Sequence, residues 1–279
     1  MTIIQSILLG IIQGLTEFIP VSSTAHLLIG ERILGLEAGS ELFTFTVLVQ
    51  QGTLLALIIY YWKDLWSVGR AWVSDVWFGI VLRRRQPFKD LQARLGWCLL
   101  LGTIPAAVAG VFLKDLVEVL FHAPLVEASI RMLITIGLLL AAEGFSRRNR
   151  TLDDLGWADA LWVGAAQVLS VFPGASRSGS TIAGGMLRGF DRPAAARFAF
   201  LLSVPIMLAA GAYETFDLLR SEHVAGSLVP PIVIGIITAA VVGYLAIRWL
   251  LSYLARRPLY VFAIYCAFFL LGIAVFLIV

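Results

Sequence analysis

Charge is what this 279-residue chain has least of. Asp, Glu, Lys and Arg together make up 14% of it, against roughly 25% in an ordinary soluble domain. A hydrophobic content of 59% and a mean hydropathy of +0.90 accompany that shortage. Several apolar runs are long enough to cross a bilayer, so the composition describes an all-α polytopic membrane protein. Cysteine is nearly absent. Cys98 and Cys266 lie inside apolar runs and read as small core residues, and neither a disulfide framework nor a metal cluster follows from them. A net charge of +3 is accounted for by loop arginines facing anionic lipid, and no nucleic-acid partner is expected. The start MTIIQSILLGIIQ lacks a basic n-region and a clear cleavage site, so it is expected to belong to the mature chain.

Along the chain, residues 3–13 are apolar but too few to span. A break from Gly14 to Pro20, carrying Glu17, separates them from a second short helix over Thr24 to Leu34. Two short helices around a polar, proline-containing turn predict a re-entrant hairpin. A full span follows at 41–62, with Gln50 and Gln51 near its middle, and then a long polar connection, 63–94, whose Trp-rich interior is expected to lie along the interface. Further spans fit 95–113 and 125–145, separated by a loop holding Lys114, Asp115, Glu118 and His122. After a basic loop, short segments at 157–171 and 178–189 give a second re-entrant candidate, and three more spans fit 193–217, 229–252 and 259–279.

The pattern is one hairpin plus three spans, stated twice within a single membrane domain, 1–279: repeat one over 1–145, repeat two over 157–279. GIIQGLTEFIP (10–20) pairs with GAAQVLSVFP (164–173), and GTIPAAVAG (102–110) matches GIITAAVVG (235–243) at six of nine positions. Three spans per copy force the second to be inverted relative to the first, giving six spans in all. Charge bias agrees. If 63–94 is cytoplasmic, so are 146–156, 188–197 and 248–257, and these regions hold sixteen of the 21 basic residues. The two hairpins then enter from opposite faces and meet near the midplane.

Each hairpin carries chemistry. In the first, Gln13 and Glu17 share a helical face at i, i+4, and Ser23 and His26 share one at i, i+3. Glu17 is the only acid between Met1 and Glu31. In an apolar hairpin a carboxylate is costly without a partner, and a divalent cation held by Glu17 and the Gln13 carbonyl would supply one; hydrogen bonds at a helix end are the structural alternative. A serine one turn from His26 points to proton transfer. In the second hairpin, Pro173 to Thr181 packs one cation, four hydroxyls and two glycines into nine residues. Arg177 offers a planar fork for phosphate oxygens, Ser176 and Thr181 offer donors, and a helix starting near Ser178 would favour an anion. Capping and small-residue packing compete for the hydroxyls.

Together, QGLTEF-PVSSTAH and PGASRSGST resemble the undecaprenyl pyrophosphate phosphatase family of bacterial membranes, the bacitracin-resistance type, over essentially the whole chain. That family has an [E/Q]-x-x-x-E element, here Gln13 to Glu17, and a P-G-x-S-R-S-x-x-T element, here Pro173 to Thr181. The Gln option leaves one negative charge fewer for a metal. The resemblance implies an interlocked inverted repeat in the bacterial plasma membrane, with a site opening to the outer face. It also implies removal of one phosphate from a C55 polyprenyl diphosphate, with a divalent cation, Mg²⁺ or Ca²⁺. Expected partners are that lipid, the bilayer and a second copy in a homodimer. In this scheme Glu17 and Gln13 hold the cation, and Arg177, Ser176, Ser178, Thr181 and Ser22 bind the phosphate. Ser23 attacks with His26 as proton partner, Ser22 or a water being the alternative nucleophiles.

A secondary transporter or polyprenyl-phosphate flippase is the rival reading, because inverted repeats with broken helices are also transporter architecture. An intramembrane serine protease fits less well, since Gly174-Ala175-Ser176-Arg177 is not Gly-x-Ser-Gly. Lipid phosphatases with a histidine nucleophile need two motif histidines, and His122 and His223 lack such surroundings.

Overall fold

The computed structural model describes residues 1–36, 39–82, 88–113, 124–172, 175–220 and 229–278. Expectations resting on the 114–123 connection, on His223, and on Pro173 and Gly174 fall outside these residues. Eleven α-helices form the described chain: α1 (Ile3–Phe18), α2 (Ser23–Ile33), α3 (Ser40–Tyr60), α4 (Trp62–Ser74), α5 (Leu91–Phe112), α6 (Pro124–Phe145), α7 (Trp157–Val168), α8 (Arg177–Leu187), α9 (Arg192–Arg220), α10 (Val229–Leu254) and α11 (Tyr260–Ile278). Among the described residues the only β-type pairing is one isolated bridge, Arg150 to Phe190.

Among the described residues five helices are long and apolar enough to cross a membrane: Leu42–Tyr60, Leu91–Phe112, Ala128–Phe145, Arg192–Tyr213 and Val229–Leu254. The last expected span is α11, apolar over Tyr260–Ala274. The 63–94 connection is largely helical. Its first half is α4, which runs on into a π-helical turn over Asp75–Val81, and Trp62, Trp66 and Trp77 remain exposed there.

The helix starts follow local chemistry. Thr2 caps α1 reciprocally with Gln5, Ser22 caps α2, and Ser176 caps α8 by accepting from the Gly179 amide. The expected break at Gly14 is absent. α1 runs through Gly14 and Glu17 and stops at Phe18, with Ile19 extended ahead of Pro20. Gly14 serves packing: a Cβ there would come within 2.8 Å of Val242 and 2.9 Å of the Ala239 carbonyl on α10.

Glycine contacts of this kind set how the bundle closes. α1 lies chiefly against α10, where a Cβ on Gly10 would stand 2.8 Å from the Gly235 carbonyl oxygen. α7 lies chiefly against α5, where a Cβ on Gly164 would overlap the Gly102 carbonyl. Small residues let such backbones approach where the surrounding lipid is as apolar as the helices themselves. Two buried carboxylates then bind one end of the bundle together. Glu143 accepts from Arg192, Arg148 and the Leu259 amide, joining α6, α9 and the start of α11. Asp159 accepts from Arg150, Arg188 and the Gly156 amide, joining the 146–156 loop, α7 and the end of α8. The four arginines come from the basic segments that the charge pattern groups on one side.

Candidate active site

The turns α1–α2 and α7–α8 meet, and their polar groups converge on Glu17. Its carboxylate is nearly buried, with 7% side-chain exposure. One oxygen, Oε2, accepts the Ser23 hydroxyl at 2.8 Å and the Gln13 side-chain amide at 3.0 Å. The other, Oε1, lies 3.1 Å from a guanidinium nitrogen of Arg177. A cation from the second hairpin thus neutralises the carboxylate near the tip of the first. The hairpins are also joined by the Ser178 hydroxyl, which donates to the Ile19 carbonyl. A polar cavity of ≈ 50 Å³ opens here, lined by Glu17, Ser23, Thr24, Gln50, Ser170, Phe172, Ala175, Ser176 and Arg177.

Local conformation presents these groups. Ser22 takes φ 70°, a left-handed backbone that is costly for a non-glycine residue. The chain thereby turns sharply and sets Ser23 at the first position of α2, pointing back to Glu17. Arg177 likewise opens α8, one residue earlier than expected, so its guanidinium and the first-turn amides of that helix share one end. Ser176 is held by its own amide, which donates to Thr135 Oγ1 at 3.2 Å, and by a hydroxyl contact with Ser178.

Of the sequence candidates, Glu17, Ser23, Ser176 and Arg177 line the cavity. Gln13 stands behind Glu17. The hydroxyls of Ser22, Ser178 and Thr181 are engaged by backbone groups, the Ala25 amide, the Ile19 carbonyl of the other hairpin and the Arg177 carbonyl. The expected Ser23–His26 pair is not formed. His26 Nδ1 bonds the Ser22 carbonyl at 2.8 Å, and Nε2 bonds the Tyr265 hydroxyl at 2.8 Å. Its ring stacks on Phe269 at 3.9 Å between centroids. The acceptor for the Ser23 hydroxyl is Glu17. Gln50, Thr24, Ser170 and Tyr265 were not singled out by sequence reasoning as site residues; a glutamine inside an apolar span was the one signal available, for Gln50.

The donor set for a cation is small. Among the described residues there is no group of three or more His, Cys, Asp and Glu that could hold a metal. The Gln13 Oε1 atom, however, is buried without a hydrogen-bond partner, on the amide whose nitrogen donates to Glu17. That oxygen and the Glu17 carboxylate are of the donor types that suit a hard cation taking its remaining ligands from substrate and water.

Among the described residues the fold is all-helical, that of a multi-pass membrane protein whose polar side chains gather at the tips of two paired helical hairpins. Comparison with known proteins agrees: the family described as "Bacitracin resistance protein BacA" matches residues 6–274, and the chain belongs to it. Undecaprenyl-diphosphatase of Anaeromyxobacter dehalogenans is 43% identical over 267 residues, 95% of this chain and 88% of that one. The proteins of the same name from Thermomicrobium roseum and Nocardioides sp. are 40% and 37% identical, over 95% and 94% of this chain and 94% and 92% of theirs.

Proposed function

We propose that the chain hydrolyses undecaprenyl diphosphate to the monophosphate and inorganic phosphate in the bacterial plasma membrane, recycling the lipid carrier of cell-wall synthesis. One observation carries this reading beyond the family name. A single buried carboxylate receives a serine hydroxyl on one oxygen and an arginine on the other. Glu17 takes the proton as Ser23 Oγ attacks the terminal phosphorus, and the bond from that phosphorus to the bridging oxygen breaks, releasing the lipid monophosphate. With that proton passed on to the departing lipid monophosphate, Glu17 is again ionised; it takes a proton from the water that attacks the phosphoserine and returns it to Ser23 Oγ as the bond between that oxygen and phosphorus breaks. Arg177, with Ser176 and the amides opening α8, holds the transferring phosphoryl group. His26 orients the Ser22 turn. A cation bound by Glu17 and Gln13 Oε1 would neutralise charge on the diphosphate. All these groups belong to one chain, so a homodimer is compatible with the reaction but not required by it.

The glycine crossings support an interlocked inverted repeat. Gly10 and Gly164 are equivalent in the paired motifs, as are Gly102 and Gly235, and each hairpin packs on the other half's span. With the arginine-rich end cytoplasmic, the first hairpin enters from the outer face, where the site opens. Cysteines placed at Ser67 and Val229 are expected to react with an impermeant reagent from opposite sides of sealed vesicles. Labelling of both from one side overturns this topology.

Purified protein is expected to release phosphate from the C55 diphosphate with Mg²⁺ or Ca²⁺ present. Chelation is expected to lower that rate by about two orders of magnitude or more, and re-addition to restore it. Lipid binding with no phosphate release under any cation refutes the enzyme reading in favour of a carrier.

A further inference from the structure

A second cavity, of ≈ 430 Å³, lies between α2 and α11, lined by Ile29, Ile33, Tyr265, Phe268, Phe269, Gly272 and Ile273. Tyr265 is its one polar side chain, and its hydroxyl is engaged by His26. His26 is therefore a wall with two faces. Its Nδ1 side holds the Ser22 carbonyl in the turn that presents Ser23. Its ring, stacked on Phe269 and Tyr265, abuts the groove. Along α2, residues 26, 29 and 33 fall on one helical face, so the groove continues from His26, which holds the Ser22 carbonyl, without a change of face. A Cβ on Gly272 would meet nothing within 4 Å, which leaves room at that point for a branched hydrocarbon.

We infer that this groove seats the isoprenyl units nearest the diphosphate, with His26 and Tyr265 as the partition between the lipid's chain and its head group. The inference rests on the polyprenyl diphosphatase reading above. Methyl-branched, unsaturated units fit a channel of aromatic and β-branched walls by close contact. Hydrophobic transfer contributes little, because the chain leaves one apolar medium for another. The gain is orientation. A chain anchored at both ends of His26 holds the terminal phosphorus in line with Ser23.

Photo-crosslinking separates this seat from general lipid contact. With p-benzoylphenylalanine at Ile33, trace C55 diphosphate in phosphatidylglycerol vesicles is expected to be captured. The same group at Leu245, exposed on α10, is expected to capture only the phospholipid. Arg177→Ala is expected to abolish the Ile33 capture by releasing the head group. Kinetics give the second arm. Gly272→Leu is expected to raise KM for the C55 diphosphate about tenfold, leaving kcat/KM for dimethylallyl diphosphate, which has one isoprenyl unit, unchanged. Equal capture of C55 diphosphate at Ile33 and Leu245, or a Gly272→Leu effect equal for both substrates, overturns the inference. Wild-type protein that frees no phosphate yet shows Arg177-dependent capture at Ile33 overturns the phosphatase reading and leaves the groove standing.

Discussion

Ser23→Ala is expected to lower phosphate release from undecaprenyl diphosphate by about three to four orders of magnitude, with the protein folded and still binding lipid. The expectation follows from the one hydrogen bond that points a nucleophile at a base, Ser23 Oγ to Glu17 Oε2 at 2.8 Å. Glu17→Gln should cost about as much, because an amide cannot take the proton and leaves Arg177 without its buried counter-charge. The double variant should be little worse than either single one, as befits groups acting as a unit. His26→Gln should fall only about tenfold, since His26 orients the turn and does not touch the Ser23 hydroxyl. Single-turnover assays with acid quenching and mass spectrometry give the check. A phosphoserine at Ser23 in wild type, absent from Ser23→Ala, supports the scheme. Full activity in Ser23→Ala, or phosphate trapped on another residue, removes Ser23 from it.

The largest expected effect on stability is at Gly164→Val. Its side chain would overlap the Gly102 carbonyl on α5. A backbone carbonyl within a helix has no rotamer to retreat into, so α7 must move away from α5. The cost is about 3 kcal/mol or more, which in a chain of this size lowers Tm by roughly 10 °C. Gly137→Val, in α6, is the matched control, because a Cβ there meets nothing within 4 Å. Thermal denaturation followed by size exclusion in detergent should show the first variant aggregating early and the second near wild type. Equal melting of the two would mean that the α5–α7 crossing does not hold the fold.

Local signals in the sequence were enough for most element limits. The second hairpin was expected as 157–171 and 178–189 and is found as α7, a 3₁₀ turn through Val171, and α8. Proline placement and apolar run length decide such limits, and both are readable within a window of a dozen residues. Gly14 was misread as a break for the same reason: its role is fixed by Val242 and Ala239, more than two hundred residues away. His26 and Ser23 were expected to pair because i, i+3 spacing allows it. Spacing says only which face a side chain leaves from, not who waits there, and Tyr265 on the last helix was waiting. Glu17 and Arg177 were each legible as a charge needing a partner in an apolar setting. That they partner each other emerged only when the hairpins met.

The crossing of α1 on α10 has a consequence for the order of assembly. α1 finds its seat on residues 229–254, which leave the ribosome more than two hundred residues after it. Until then the Gly10–Gly14 face has no counterpart, so the first hairpin waits at the bilayer as a loosely held intermediate even after Arg177 has been made. The residues of the site are therefore all synthesised before the helix that seats the first of its two hairpins.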